Sequence, residues 1–329
     1  MEKVIAYNRL DSTVLEKLSA IYDVEYFENI DPKNNTVFLN SLKQAEGIIG
    51  LDLPVDKDLL DKAPSLKIVS NVSTGYNNLD IGEMTKRNIL ATNTPGIVED
   101  TTADLIMGIM ISAARRISEL DRYMKEGKWT NVLPPNMFGV NIHKKTLGII
   151  GMGKIGTKIA KRAHLGFDMD ILYHNRSRNF EIENEFNANY CSMEFLLENA
   201  DFVCVMTPLS PETYHLIGEK EFKLMKETCI FINGSRGHVV DEEALIFALE
   251  NKEIYGAALD VFQMEPINPD NPLLKLDNVV TTPHIGSSTY ETELEMSKTA
   301  YSNLISGLTG ERPANLINPE AFPNWNSAK

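Results

Sequence analysis

Leu147-Gly148-Ile149-Ile150-Gly151-Met152-Gly153-Lys154-Ile155-Gly156 decides how this 329-residue chain folds. An apolar run that reads as a strand passes straight into Gly-x-Gly-x-x-Gly, and Thr157 to Ala163 continues as a helix. Glycine is common in turns, so the triplet alone says little. Between a strand and a helix each glycine has a distinct role. Gly151 permits the tight turn, Gly153 lets the backbone approach a pyrophosphate, and Gly156 lets helix and strand pack closely. The free N–H groups and partial positive charge of the helix N-terminus favour an anion there.

On both sides of this stretch apolar runs alternate with helical patterns. Thr146 to Ile150, Ile171 to His174, Phe202 to Met206, Cys229 to Asn233, Gly256 to Leu259 and Val279 to Thr281 read as strands with helices between them. Six such strands make a complete dinucleotide-binding sheet. Towards the N-terminus Val4 to Tyr7, Gly47 to Gly50, Ile68 to Asn71 and Leu90 to Thr92 form a second alternating set, with helices at Thr13 to Ala20 and Asp80 to Arg87. Both sets indicate parallel sheets covered by helices. Asn93-Thr94-Pro95-Gly96 breaks the pattern. Beyond it Ile106, Ile109, Met110, Ala113, Ile117, Leu120 and Met124 mark one face of a single long helix, capped by Asp100 or Thr101 and stopped at Gly127. A last helix is expected from about Ser288 to Gly307, followed by a Pro/Asn-rich tail.

The strand Ile171 to His174 bears on the cofactor. NAD-preferring sites usually carry Asp or Glu near the end of this strand, bonded to the adenosine ribose. Asn175-Arg176-Ser177-Arg178 stands there instead. A carboxylate would repel a 2′-phosphate, whereas Arg176 can grip one, with Ser177 and Asn175 as neutral donors and Arg178 in support. The expectation is NADP(H), with NAD(H) as the alternative.

Three ionisable residues follow successive late strands, where open α/β sheets bind ligands. Arg236 lies in Asn233-Gly234-Ser235-Arg236-Gly237, Glu265 in Asp260-Val261-Phe262-Gln263-Met264-Glu265-Pro266, and His284 in Thr282-Pro283-His284-Ile285-Gly286. Hydride arriving at a ketone leaves negative charge on its oxygen. An imidazole can protonate that oxygen, a carboxylate beside it keeps the ring charged and oriented, and a guanidinium can clamp an acidic substrate. Of the other histidines (His143, His164, His174, His215 and His238), His238 is the nearest rival, being close to Arg236.

The formal net charge of −14 argues against nucleic-acid partners, which call for a basic face. No apolar run approaches the roughly 18–20 residues that cross a bilayer, and the N-terminus begins at once as a strand, so a cytoplasmic protein is expected. Cys191, Cys204 and Cys229 show no metal-ligand spacing and are expected to be reduced thiols. No metal is expected.

These residues carry a family resemblance. The chain resembles the D-isomer-specific 2-hydroxyacid dehydrogenases, and more narrowly the glyoxylate/hydroxypyruvate reductase and 2-ketogluconate reductase branch. The resemblance covers nearly the whole length through Ser73 to Asp80, Asn93 to Gly96 with Thr101 to Asp104, Leu147 to Gly156, Phe231 to Asp241, Gly256 to Pro266 and Thr282 to Ser288. Asn77 departs from it, since relatives often have Asp there. The resemblance implies an α/β architecture of two Rossmann-like or flavodoxin-like domains. The substrate domain, residues 1–98 plus 290–329, would be discontinuous, and 99–289 would bind the dinucleotide. It implies reduction of a small 2-keto acid to the D-2-hydroxy acid, with Arg236, Glu265 and His284 as the catalytic set and His284 as proton donor. Val72, Ser73, Thr74 and Gly75, together with Arg236 and His284, would bind substrate. The cofactor set would be Thr102, Gly151, Gly153, Lys154, Ile155, Gly156, Asn175, Arg176, Ser177, Thr207, Pro208, Gly234, Ser235, Arg236, Asp260, His284 and Gly286. A homodimer joined through the helix that begins near Thr102 is implied, as is domain closure over the hydride path. Two alternatives stand beside this reading. One is an NAD-linked D-lactate or phosphoglycerate type, against which stand the loop Asn175 to Arg178 and the expected lack of room for an added regulatory domain. The other is a non-catalytic dinucleotide sensor, akin to the corepressor relatives of the family.

Overall fold

The computed structural model describes residues 1–322, and the last part of the expected Pro/Asn-rich tail lies outside them. The chain divides into two compact units, Met1–Val98 with the segment from Ser287, and Glu99–Gly286. The return to the first unit thus falls at Ser287 rather than at residue 290.

The first unit holds β1 (Lys3–Tyr7), β2 (Asp23–Phe27), β3 (Ala45–Gly50), β4 (Ile68–Asn71) and β5 (Leu90–Thr92) in one parallel sheet ordered β2-β1-β3-β4-β5. Its central strands are buried along their length because both faces are covered: all residues of Val4–Tyr7 and Ile68–Asn71 are buried, the polar Ser70 and Asn71 included. The C-terminal helix Tyr290–Leu308 lies on this sheet, with Leu304 against Gly47 and the carbonyl of Ala300 accepting the Ser70 hydroxyl at 2.8 Å. Leu316 then bridges Thr92, and Asn318 accepts Ala91 N–H at 2.8 Å while donating to Ile89 O at 2.9 Å. The stretch from Leu316 to Asn318 is thereby tied to the β5 edge of the sheet.

The second unit holds β6 (Thr146–Ile150), β7 (Asp170–His174), β8 (Asn189–Tyr190), β9 (Phe202–Val205), β10 (Ile230–Asn233), β11 (Gly256–Leu259) and β12 (Val279–Thr281). They form a parallel sheet ordered β12-β11-β10-β9-β6-β7-β8. One face is packed by Ala103, Ile106, Met110, Ile159 and Ala163, the other by Leu196, Phe222, Leu245 and Leu249. The order reverses between β6 and β9, the usual position of a ligand cleft at the carboxyl ends of such strands.

The long helix expected after Gly96 is two helices. Glu99–Arg115 packs on the sheet, Arg116 turns left-handed at φ 55°, and Ile117–Lys125 follows. The helix starts early enough that Asp100 and Thr101 lie in its first turn instead of capping it. The break has a local cause. The Ala114 carbonyl, which an unbroken helix would give to Ser118, accepts Val140 N–H at 2.8 Å. Gly139 passes so close that a Cβ there would sit 2.4 Å from that same oxygen. Past the break the periodic face is no longer core: Ile117 and Met124 keep 51% and 57% of their surface exposed. No helix among the described residues is long and apolar enough to cross a membrane.

Candidate active site

β10, β11 and β12 are neighbours at one edge of the second unit's sheet, so the loops after them emerge side by side. Each loop is held by its own polar network. After β10, Asn233 Oδ1 accepts Ser235 N–H at 3.1 Å and the Ser235 hydroxyl at 2.9 Å, and its Nδ2 donates to Arg236 O at 3.2 Å. Arg236 is thereby presented in extended backbone, its guanidinium also bonded to Ser235 O at 2.7 Å. The next residue must be glycine, because a Cβ on Gly237 would lie 1.9 Å from the Phe262 carbonyl carbon.

After β11 and β12 the two loops are tied to each other. Asp260, buried to 2% exposure, accepts the Thr282 hydroxyl at 2.6 Å, Ile285 N–H at 2.8 Å and Gly286 N–H at 2.9 Å. Thr102, from the helix Glu99–Arg115, donates to Gly286 O at 3.1 Å. His284 is thus fixed at φ 51°, a left-handed backbone that few residues other than glycine adopt. Its Nδ1–H donates to Glu265 Oε2 at 2.6 Å, and Glu265 Oε1 accepts Phe262 N–H at 2.9 Å.

The electrostatics follow from this geometry. The hydrogen bond to Glu265 raises the His284 pKa above its ordinary value. Burial opposes the rise, the charges of Glu265 and Asp260 add to it, and that of Arg236 subtracts. Burial pushes the Glu265 carboxyl up. The His284 bond, the Phe262 N–H and the charges of His284 and Arg236 outweigh burial and hold it below its ordinary value. Burial raises Asp260, against the pull of its hydrogen bonds. The charged pair Glu265⁻/His284⁺ is therefore favoured, with a guanidinium close enough to be felt by both. Among the described residues His238 has no carboxylate partner, and it stacks on Tyr214, so it does not share this arrangement.

The glycine loop after β6 has the form of a dinucleotide cradle. Gly151 takes φ 101°, and a Cβ there would sit 2.7 Å from the Met206 carbonyl carbon. A Cβ on Gly156 would meet Gly151 O at 2.6 Å, whereas one on Gly153 would meet nothing among the described residues within 4 Å. Gly153 caps the helix Lys154–Phe167 with no side-chain acceptor, so Lys154 and Ile155 open the helix without one. Nearby Thr207, followed by Pro208, has a buried hydroxyl without a hydrogen-bond partner among the described residues. An open backbone approach, an uncapped helix N-terminus and an orphaned hydroxyl fit a bound dinucleotide.

At the end of β7 the four polar residues have separate fates. Asn175 Oδ1 accepts Met152 N–H at 2.7 Å and its Nδ2 donates to Met152 O at 3.2 Å, which fixes the glycine loop. Its side chain is thus committed to the cradle instead of being a spare phosphate donor. Arg178 is paired with Glu183, which also accepts the Tyr173 hydroxyl, and lies over the Phe180 ring at 5.0 Å. Arg176 and Ser177 are exposed and, among the described residues, make no hydrogen bond or ion pair.

In the first unit the loop after β4 faces its carbonyls inward. Ser73 O accepts Thr94 N–H at 3.0 Å, Thr74 O accepts Asn93 Nδ2 at 2.8 Å, and Gly75 O accepts Asn71 Nδ2 at 2.9 Å. The N–H groups of Ser73, Thr74 and Gly75 have no partner among the described residues, a row of donors suited to an anion. Val72 differs from the expectation, because its N–H is already bonded to Gly50 O at 2.8 Å. The supporting roles of Asn71, Asn93 and Asp260 leave little mark in the sequence. Each is only a polar side chain at the end of an apolar strand.

Residues 107–286 match the family model described as D-isomer specific 2-hydroxyacid dehydrogenase, NAD binding domain. The chain is also 45% identical over 318 residues to glyoxylate/hydroxypyruvate reductase B of Salmonella typhimurium, covering 97% of this chain and 98% of that one. It belongs to the D-isomer-specific 2-hydroxyacid dehydrogenases. Among solved members of this fold, the TT0316 protein of Thermus thermophilus superposes with a TM-score of 0.89 at 35% identity, covering 96% and 99% of the two chains. The NADPH-dependent glyoxylate/hydroxypyruvate reductase of Sinorhizobium meliloti, solved with NADP and malonate, superposes with a TM-score of 0.85 at 27% identity, covering 97% and 98%. This dehydrogenase is therefore an oxidoreductase of a nicotinamide-dinucleotide family, in the glyoxylate/hydroxypyruvate reductase branch.

Proposed function

We propose that this dehydrogenase reduces glyoxylate or hydroxypyruvate, with 2-ketogluconate as a third candidate, to the 2-hydroxy acid, the D isomer where C2 becomes chiral, at the expense of NADPH, and that His284 is the proton donor. The observation that carries the proposal is the 2.6 Å His284–Glu265 bond within reach of the Arg236 charge. When bound, the reduced nicotinamide supplies the hydride. Because Nδ1 is committed to Glu265, Nε2 of His284 is the atom that gives its proton to the carbonyl oxygen as that oxygen gains charge. Glu265 keeps the ring charged until that transfer. Arg236 binds the substrate carboxylate and polarises the ketone. The free N–H groups of Ser73, Thr74 and Gly75 are proposed, within the first unit, as donors suited to a carboxylate.

The NADPH preference rests on Asn175 to Arg178: no carboxylate to bond a ribose hydroxyl, and an exposed Arg176 with Ser177 beside it, its charge felt by Glu212 but free of hydrogen bonds and ion pairs among the described residues. The likeness to a Sinorhizobium meliloti enzyme named NADPH-dependent supports the same reading. We also propose a homodimer formed through the segment after Arg116, where Ile117, Met124, Trp129, Val132 and Phe138 are all exposed apolar side chains. Light scattering gives the mass directly.

The test is a kinetic panel of glyoxylate, hydroxypyruvate, pyruvate and 2-ketogluconate with NADPH and NADH, followed at the reduced nicotinamide absorbance. Turnover of the first two with NADPH is expected. Arg176→Ala should weaken NADPH by about tenfold or more, the value of a charge-assisted phosphate contact, and change NADH little. Equal losses for both cofactors would refute the NADPH assignment, and no turnover of any keto acid would refute the reductase.

A further inference from the structure

The pair Glu265–His284 is supported from a residue that touches neither. Glu242 opens the helix Glu242–Glu250, whose N-cap is supplied by Asp241 through bonds from Glu243 N–H at 3.1 Å and Ala244 N–H at 3.2 Å. With the cap already provided, the Glu242 carboxylate turns out of the helix towards the loop that follows β11. Its Oε2 accepts Gln263 N–H at 3.1 Å and its Oε1 accepts Asn271 Nδ2 at 2.7 Å. The Gln263 side chain adds a second tie, donating to Val240 O at 2.9 Å. Asn271 in turn accepts Leu273 N–H at 2.9 Å, so its position is set by the turn that begins there. One carboxylate thus staples both ends of the loop that carries Glu265.

The peptide joining Phe262 and Gln263 is where three parts of the site meet. Its N–H is held by Glu242, and the preceding N–H, that of Phe262, is held by Glu265 itself. Gly237, next to Arg236, is packed on this peptide so tightly that a Cβ there would lie 2.3 Å from Gln263 N. We propose that Glu242 is a positioning residue, which fixes this peptide and through it the Glu265 carboxylate that charges His284. The effect is distinct from that of an acidic residue in a helix's first turn, which would stabilise the helix alone. Removing the carboxylate leaves two donors without an acceptor, frees the peptide to tilt, and lengthens the Glu265–His284 contact.

The inference rests on the reductase reading for its kinetic arm but not for its spectroscopic one. Glu242→Ala and Glu242→Gln are compared with the unaltered protein by three readouts: NMR titration of the His284 ring, kcat/KM for glyoxylate with NADPH across pH, and Tm. In the Ala variant the His284 midpoint should fall towards that of an ordinary imidazole. Alkaline kcat/KM should drop about tenfold, the worth of one charge-assisted hydrogen bond, with the NADPH Kd within about twofold. The Gln variant keeps an acceptor for Gln263 N–H and should show a smaller change in the same direction. An unmoved His284 midpoint in whichever variant folds overturns the proposal, even if Tm falls. Failure of the unaltered protein to turn over any keto acid overturns the reductase reading and leaves the NMR arm to decide this one.

Discussion

Glu265→Gln isolates the charge in the His284 pair while keeping the size and one acceptor of the side chain. Two unit charges about 4 Å apart attract by about 4 kcal/mol at an effective dielectric of ~20. The full amount is not realised here, because the two side chains keep 45% and 35% of their surface in water, and exposed pairs measure only about 0.2–1 kcal/mol. A half-exposed pair at 2.6 Å falls between, at about 1.4 kcal/mol, a factor of about ten in the population of charged imidazole. That factor has a specific pH signature. Below the imidazole midpoint both proteins hold the proton, so kcat/KM for glyoxylate reduction should differ little. Above it the proton-donating fraction declines tenfold further in the variant, and the alkaline limb moves to lower pH. The assay is initial-rate kinetics with NADPH across the pH range, with cofactor Kd measured separately by fluorescence. A wild-type to variant ratio that is constant with pH would show that Glu265 acts by shape alone, and the electrostatic account would be wrong.

Three further outcomes are expected. Gly153→Ala should leave Tm unchanged, since the added methyl meets nothing among the described residues, yet weaken dinucleotide binding about tenfold by crowding the backbone approach. Gly156→Ala, whose Cβ would press on Gly151 O at 2.6 Å, should instead lower Tm by several degrees, as overpacking of about 1–3 kcal/mol requires. Calorimetry with cofactor titration separates the two, and a Gly153→Ala protein that binds like wild type would count against the cradle. The stability that the Glu265–His284 pair contributes should depend on pH with a definite sign. The lowered Glu265 pKa stabilises the fold above its ordinary value of 4.5 and that contribution is lost as pH falls through the lowered value. The raised His284 pKa stabilises it below 6.5 and is lost as pH rises through the raised value. The Tm difference between wild type and Glu265→Gln should therefore be largest between pH 4.5 and 6.5, and a maximum outside that window would contradict the shifts.

What could be read in the chain, and what could not, divides along the distance over which each feature is specified. The glycine loop, the strand-and-helix alternation and the three ionisable residues are each written in a few consecutive residues, because a parallel sheet buries its strands on both faces and places the next residues at its carboxyl end. Edge strands carry less of that signal. In β2 (Asp23–Phe27) only Phe27 is buried, and β8 has two residues, both exposed, so neither has an apolar run to betray it. The helix break at Arg116 depends on Val140 taking the Ala114 carbonyl, a partner that no local periodicity reveals. The two arginines after β7 look alike in sequence, yet Glu183 pairs with Arg178, whereas among the described residues Arg176 makes no ion pair and only its charge reaches Glu212. Asn175, likewise, is spent on Met152. A cofactor preference read from that loop therefore narrows to one guanidinium: if exchanging Arg178 for Ala altered NADPH affinity as strongly as exchanging Arg176, then the Glu183 pair would have to open on binding, and the division of labour drawn from the geometry would fail.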